Sequence, residues 1–358
     1  MKIEEIDSNL SVKTDITEPD IVWLDIKKPP FAVSGICYDE AQKCYTRMPQ
    51  KIADQVSDGV AELNRHTAGG RVRFRTNSSF IGIHAVMNNG SLMPHITLLG
   101  QSGFDLYRKK EGDSKEIFCH SFMPPMDMLS GYSSPFVTDG AWAEYTINFP
   151  LYDGVRELFI ALKRDAVVLE PEPYDFTVPV VYYGSSITQG GCASRPGNSY
   201  QAILSRRLHG DYLNLGFSGS CKGETTMAEY LAGLTMSVFV CDYDHNAPTV
   251  EHLRSTHLPL YRKIREVQPS LPILLISAPN MLLEPEIFRA RRDVILQTYE
   301  TALAEGDRNV SFIDGSELFA GEEWDACTVD GTHPNDLGFY RMAMRIEREL
   351  KALLYGRK

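Results

Sequence analysis

Four short segments of this 358-residue chain carry the residue types that acyl transfer to a serine requires. In chain order they are Gly184-Ser185-Ser186-Ile187-Thr188-Gln189-Gly190, Gly216-Phe217-Ser218-Gly219-Ser220, Asp242-Tyr243-Asp244-His245-Asn246 and Asp330-Gly331-Thr332-His333-Pro334. The chemistry needs a hydroxyl to attack, an imidazole to take its proton and a carboxylate to hold the imidazole. It also needs two or three donors for the tetrahedral oxyanion. Asp330 and His333 lie three apart, so one turn can present base and orienter to each other. Ser186 sits at a strand-to-helix turn, where a helix N-terminus favours developing negative charge. Gly219 would let a backbone N–H approach a substrate closely. The Asn246 amide is a further donor.

Elements that place these loops together are legible in the hydrophobic pattern. Short apolar runs at Val178–Tyr183, Tyr212–Leu215, Val238–Cys241, Ile273–Ser277 and Val310–Asp314 alternate with helical stretches at about Ser199–Leu208, Val250–Val267, Pro285–Ala304 and Asn335–Tyr355. Continuous apolar strands between helices indicate a parallel sheet covered on both faces, a three-layer α/β/α arrangement. Ligands bind such sheets outside the carboxyl ends of the strands. The first three segments each follow a strand, and the fourth precedes the last helix.

The first half of the chain has a different period. Val72, Phe74 and Thr76 alternate with Arg71, Arg73 and Arg75, the signature of a half-buried strand, and the three arginines read most simply as a solvated face. Further strands are expected at Phe80–Met87, Trp142–Phe149 and Glu157–Leu162. Turn residues recur between them at Asn88-Asn89-Gly90, Gly112-Asp113, Asp139-Gly140 and Asp153-Gly154. Many short strands with such turns predict an all-β, jelly-roll-like sandwich. The Pro-containing, acidic stretch Leu169–Asp175 reads as a linker, dividing the chain into residues 1–172 and 173–358.

Composition removes several classes. A formal net charge of −11, with no dense Lys/Arg run, argues against a nucleic-acid partner. No stretch reaches the ~18 apolar residues of a membrane span. The acids of Met1–Asp7 are unlike a signal peptide, so the expectation is a cytoplasmic protein, unless a leader has been removed. Seven scattered cysteines without a Cys-x-x-Cys pair form no zinc or disulfide framework. Asp242, Asp244 and His245 look like metal ligands in composition, but alternating residues just after a strand point different ways. His252 and His257 are five apart, not the i, i+4 of paired helical ligands, and read as surface residues. No metal and no organic cofactor is expected.

Taken together, the four segments resemble the four blocks of the SGNH (GDSL-type) hydrolases: Gly-Asp-Ser, a glycine turn, an asparagine-bearing third block and Asp-x-x-His. The resemblance covers most of the chain from about Val178. It implies a triad of Ser186, Asp330 and His333, and an oxyanion site of Ser186, Gly219 and Asn246. Ser185 stands where the family has Asp, and the third block departs from the usual Gly-x-Asn-Asp. Gly103-Phe104-Asp105-Leu106-Tyr107 resembles the β-sandwich domain that precedes some of these enzymes. The resemblance implies hydrolysis of a small acyl ester through an acyl-enzyme, leaning toward acetyl groups on a carbohydrate. An acyltransferase using the same site and an inactive carbohydrate-binding protein are the alternatives.

Overall fold

The computed structural model describes residues 6, 15–88, 92–127, 130–279 and 284–356. The N-terminal segment inspected for a leader, Ile6 aside, and the Asn89 and Gly90 of the first expected turn lie outside them.

The second half is a five-stranded parallel sheet. Its strands are β1 (Phe176–Gly184), β2 (Gly210–Gly216), β3 (Val238–Asp242), β4 (Ile273–Ile276) and β5 (Val310–Ile313), in the order β2-β1-β3-β4-β5. The helices are α1 (Ser186–Gln189), α2 (Tyr200–Leu208), α3 (Thr225–Ala232), α4 (Val250–Val267), α5 (Pro285–Ala304) and α6 (Asp336–Tyr355). One face of the sheet packs against α3, α4 and α5 through residues such as Met227, Leu253, Ile264 and Ile295. The other packs against α2 and α6 through Leu204, Phe339, Met342 and Ile346. Burial on both faces is why β3 and β4 are apolar at almost every position rather than at alternate ones. The direction of winding reverses between β1 and β3, which opens a crevice at their carboxyl ends. Ser186 follows β1 and Asn246 follows β3, so both sit at that crevice. No described helix is long and apolar enough to cross a membrane.

Besides a two-stranded ribbon (Cys37–Asp39 with Cys44–Thr46) and three short helices, two larger antiparallel sheets make up the first half. One orders Ile21–Asp25, Val155–Lys163, Phe80–Met87 and Gly131–Val137; the other is built around Arg71–Thr76, Ala143–Asn148 and Phe104–Lys110. Val72, Phe74, Ile81, Ile83, Leu106, Ile147 and Ile160 fill the space between them.

The outer face of the Arg71–Thr76 strand differs from its expected solvation. Arg71 and Arg73 are 1% and 3% exposed. Arg71 pairs with Asp211 and donates to the Tyr212 carbonyl of β2; Arg73 pairs with Glu144 at 2.6 Å and donates to the Glu172 carbonyl. The period of two is right, but the linker and β2 cover the face that would otherwise meet water. His257 is also corrected: it is buried, with Nδ1 2.9 Å from Thr298 Oγ1 between α4 and α5. Its partner on the sequence, His252, reaches the Lys222 carbonyl at 2.8 Å.

Candidate active site

Short-range geometry separates the two adjacent serines. Ser185 is the N-cap of α1, its Oγ accepting from the Ile187 N–H at 3.2 Å. Ser186 is the first helical residue, and its N–H therefore has no intrahelical acceptor. Its Oγ lies 2.9 Å from His333 Nε2, and His333 Nδ1 lies 2.7 Å from Asp330 Oδ2. Because a carboxylate only accepts, Nδ1 carries the proton, and Nε2 is left to accept from the Ser186 hydroxyl. The backbone N–H groups of Thr332 and His333 both donate to Asp330 Oδ1, at 2.9 and 2.8 Å. Partial burial alone would raise the Asp330 pKa, but these bonds and the His333 ring outweigh it and bring it down to about 2. Asp330 is thus a fixed anion that orients the imidazole.

The glycine and asparagine segments are tied to the same place. The Phe217 N–H donates to the Gly184 carbonyl at 3.0 Å, and the Ser218 N–H donates to Gln189 Oε1 at 3.0 Å. Asn246 Nδ2 donates to the Phe217 carbonyl at 2.8 Å; an amide has a second N–H, which this bond leaves over. Gly219 has φ +67°, and a Cβ there would meet no protein atom within 4 Å. Glycine is therefore required by the left-handed backbone and not by protein packing, and the space in front of residue 219 stays open.

The third segment does not converge as metal ligands would. Asp242 bonds Thr188 Oγ1 and Tyr200 (3.0 Å), Asp244 accepts from the Ala278 N–H at 2.9 Å, and the His245 ring packs edge-on against Phe288. The buried Asp242 explains Gly184: a Cβ at 184 would stand 1.6 Å from Asp242 Oδ1.

Burial pushes the Asp242 carboxyl up to about 8 and the Asp244 carboxyl up to about 6. An unfolded Asp titrates near 3.8, so between about pH 4 and 8 unfolding releases the Asp242 proton. Stability from this group is complete below about pH 4 and is lost as pH rises through 8. Asp242→Asn is accordingly expected to flatten the fall in thermal midpoint between pH 5 and 8. Equal slopes for variant and parent would mean that Asp242 is ionised in the fold.

Sequence reasoning did not find the residues that the β half sends into the site. Tyr152 Oη donates to the Ser186 carbonyl at 2.9 Å. Gln189, whose Oε1 holds Ser218, donates through Nε2 to the Leu151 carbonyl at 3.1 Å. Arg47 is 3% exposed; it donates to the Gly216, Asn214 (3.3 Å) and Leu63 (2.6 Å) carbonyls and lies 4.3 Å over the Phe217 ring. Burial pulls this guanidinium down to about 9, the mark of a cation taken out of water without a carboxylate partner. Asp105 and Tyr107 of the Gly103–Tyr107 motif reach the Arg195–Gly197 loop: Asp105 Oδ2 accepts from the Gly197 N–H (2.8 Å) and from Arg195 (2.9 Å), and Arg195 also bonds Tyr107 Oη. Asn198 in turn donates to Asp336 at 2.8 Å, just beyond His333. Arg47 lies in a turn-like stretch with no periodic signal, so only contact across the two halves could have revealed it.

Arg47→Ala is expected to lower kcat by up to ~10²-fold through misplacement of the Gly216–Gly219 loop, with a smaller effect on KM. Added guanidinium should restore part of kcat. A variant that merely lost thermal stability while keeping kcat would limit Arg47 to a packing role.

A three-layer α/β/α fold with a Ser-His-Asp hydrogen-bond chain at the sheet's switch point is the arrangement of a serine hydrolase. Residues 177–351 match the GDSL-like lipase/acylhydrolase family, and residues 21–168 match the N-terminus of the SGNH-type esterases. The chain belongs to this family and is a carboxylic ester hydrolase. Its fold is similar to that of a Bacteroides ovatus protein assigned as a GDSL-like lipase (27% identity, TM-score 0.83, covering 94% of this chain and 98% of the other). A salicylyl-acyltransferase from a tetracycline biosynthetic pathway has 17% identity and a TM-score of 0.76, covering 95% and 99%. A family two carbohydrate esterase from Clostridium thermocellum, in complex with cellohexaose, has 14% identity and a TM-score of 0.63, covering 91% and 99%. No curated protein matches the sequence.

Proposed function

We propose that the protein hydrolyses a small acyl ester, an acetyl group on a carbohydrate foremost, through an acyl-enzyme on Ser186. The observation that carries this reading is the hydrogen-bond chain Asp330–His333–Ser186, at 2.7 and 2.9 Å. In the first step His333 takes the Ser186 proton as Oγ attacks the ester carbonyl, then gives it to the departing alcohol. In the second, His333 takes a proton from water as the water attacks the acyl-enzyme, then gives it to Ser186 Oγ as the acid leaves. The Ser186 and Gly219 N–H groups and the Asn246 amide receive the oxyanion in both steps. The carbohydrate leaning is supported by the similar fold of the cellohexaose-bound esterase. The substrate class is tested by turnover of p-nitrophenyl esters of graded chain length beside acetylated oligosaccharides. Highest kcat/KM on long-chain esters, with none on acetylated sugars, would overturn it.

The similar acyltransferase fold supports one second reading, transfer to an alcohol in place of water. Product analysis with competing acceptors separates the two: acid alone means hydrolysis, a new ester means transfer.

Asn246→Ala is expected to lower kcat by ~10²–10³-fold with little change in KM, because an oxyanion donor acts mainly in the transition state. A pure KM effect would assign Asn246 to ground-state binding instead.

A further inference from the structure

We infer that the catalytic centre carries a built-in inhibitory site for zinc or a similar borderline divalent ion, formed by His95, Cys192 and His333. One ligand atom from each of these residues lies within 4.8 Å of the other two. Two imidazoles and a thiolate are the donor set that zinc selects, and three protein ligands leave a fourth position for water or an incoming hydroxyl. Donors on one tetrahedral zinc at ~2.0–2.3 Å lie roughly 3.3–3.6 Å apart, so closure needs side-chain movements of about an ångström.

The three donors arrive on three segments that are tied to one another. The Cys192 N–H donates to the Pro334 carbonyl at 2.8 Å, which fixes the cysteine beside the residue that follows His333. Ser194 donates to Asp336 through its N–H (2.9 Å) and its hydroxyl (2.5 Å), a second tie between the same segments. His95 comes from the β half, where Thr97 Oγ1 donates to the Ser194 carbonyl at 2.7 Å. The His95 and His333 ring centroids are 5.4 Å apart.

The consequence for activity follows from the two nitrogens of His333. Nδ1 is engaged with Asp330 and Nε2 with Ser186. Whichever nitrogen takes the ion, one of those two hydrogen bonds is lost, and with it the base or its orientation. Binding releases the Cys192 thiol proton to solvent. Hard ions such as Mg²⁺ and Ca²⁺ favour oxygen donors, which the His95, Cys192 and His333 set does not supply.

This inference rests on His333 as the general base for its effect on rate, but not for binding. The experiment therefore reads both. The metal-free protein is titrated with Zn²⁺ during hydrolysis of p-nitrophenyl acetate, and separately with Co²⁺ while thiolate-to-cobalt charge-transfer absorbance is followed. Expected are loss of at least ~90% of turnover with Zn²⁺ and full recovery with EDTA, no effect of Mg²⁺, and a charge-transfer band absent from Cys192→Ser. His95→Ala and Cys192→Ser should each raise the inhibitory Zn²⁺ concentration by at least ~10–100-fold, judged against each variant's own metal-free rate. A band without any metal-free esterase activity would uphold the site and overturn the esterase reading. Zinc inhibition unchanged in both variants, activation by zinc, or no cobalt band would overturn the site.

Discussion

Ser186→Ala is expected to lower kcat by at least ~10³-fold, whereas Ser185→Ala keeps most of the parent turnover. The contrast is demanding because the two residues are neighbours of the same type. Ser185 Oγ accepts from the Ile187 N–H and caps α1, so its loss removes a cap that contributes about 1 kcal/mol to stability. Ser186 Oγ faces His333 Nε2 at 2.9 Å, and a methyl group there leaves the base without a proton to take. Triad members act as a unit, so the residual rate of Ser186→Ala should be that of the oxyanion donors and binding alone. A serine-directed organophosphonate gives a second readout on the parent protein: one covalent adduct, on the peptide containing Ser186. Interchanged behaviour of the two variants, or an adduct on Ser185, would reassign the nucleophile.

The parallel sheet was the most legible part of the fold, because a strand buried on both faces has to be apolar throughout. The expected helices at Val250–Val267 and Pro285–Ala304 match α4 and α5, long elements whose pattern repeats over many turns. Helix α3 was not expected: Thr225–Ala232 is only 8 residues, too few for a period to stand out. The Ser186–His333–Asp330 chain could be read because each residue type has a specific chemical use and each lies on a strand-end or helix-start loop. Where an assignment depended on what covers a surface, the sequence was a poor guide. Arg71 and Arg73 alternate with core residues as solvated arginines do, and only the packing of β2 and the linker against them decides their burial. Arg47 and Tyr152 show the same limit, since their partners lie about 170 and 34 residues away along the chain.

These contacts change the meaning of the β half. In a sandwich that only presented substrate, the bonds to the α/β half would lie at its rim. Here Arg47 meets the Gly216–Phe217 backbone, Tyr152 meets Ser186 and Asp105 meets the Arg195–Gly197 loop, so three of the loops around the crevice are set from outside their own sheet. Catalysis depends on donors held within fractions of an ångström, and a loop fixed from two sides keeps that geometry better than one fixed from one.

His333→Ala is expected to be about as damaging as Ser186→Ala, at least ~10³-fold in kcat, with Asp330→Asn less so or comparable. In the proposed mechanism His333 has two duties, taking the Ser186 proton and returning it to the leaving alcohol, and no other described side chain is hydrogen-bonded to Ser186 Oγ. His245 is no substitute: burial pulls its ring down to about 3, so it is a poor base near neutral pH, and it packs on Phe288. Asp330 acts differently. In that mechanism it does not take a proton itself but holds Nδ1–H and stabilises the imidazolium that forms. An asparagine can present its amide nitrogen to Nδ1, which selects the tautomer with the proton on Nε2 and removes the acceptor that Ser186 needs. The loss in Asp330→Asn should therefore fall on kcat, with KM for p-nitrophenyl acetate close to the parent value. The backbone bonds from Thr332 and His333 to Oδ1 can persist with the amide oxygen, which keeps the loop in place and separates the electrostatic effect from unfolding. Near-normal turnover in His333→Ala would remove this mechanism altogether. A pure rise in KM for Asp330→Asn would place the carboxylate in substrate binding instead.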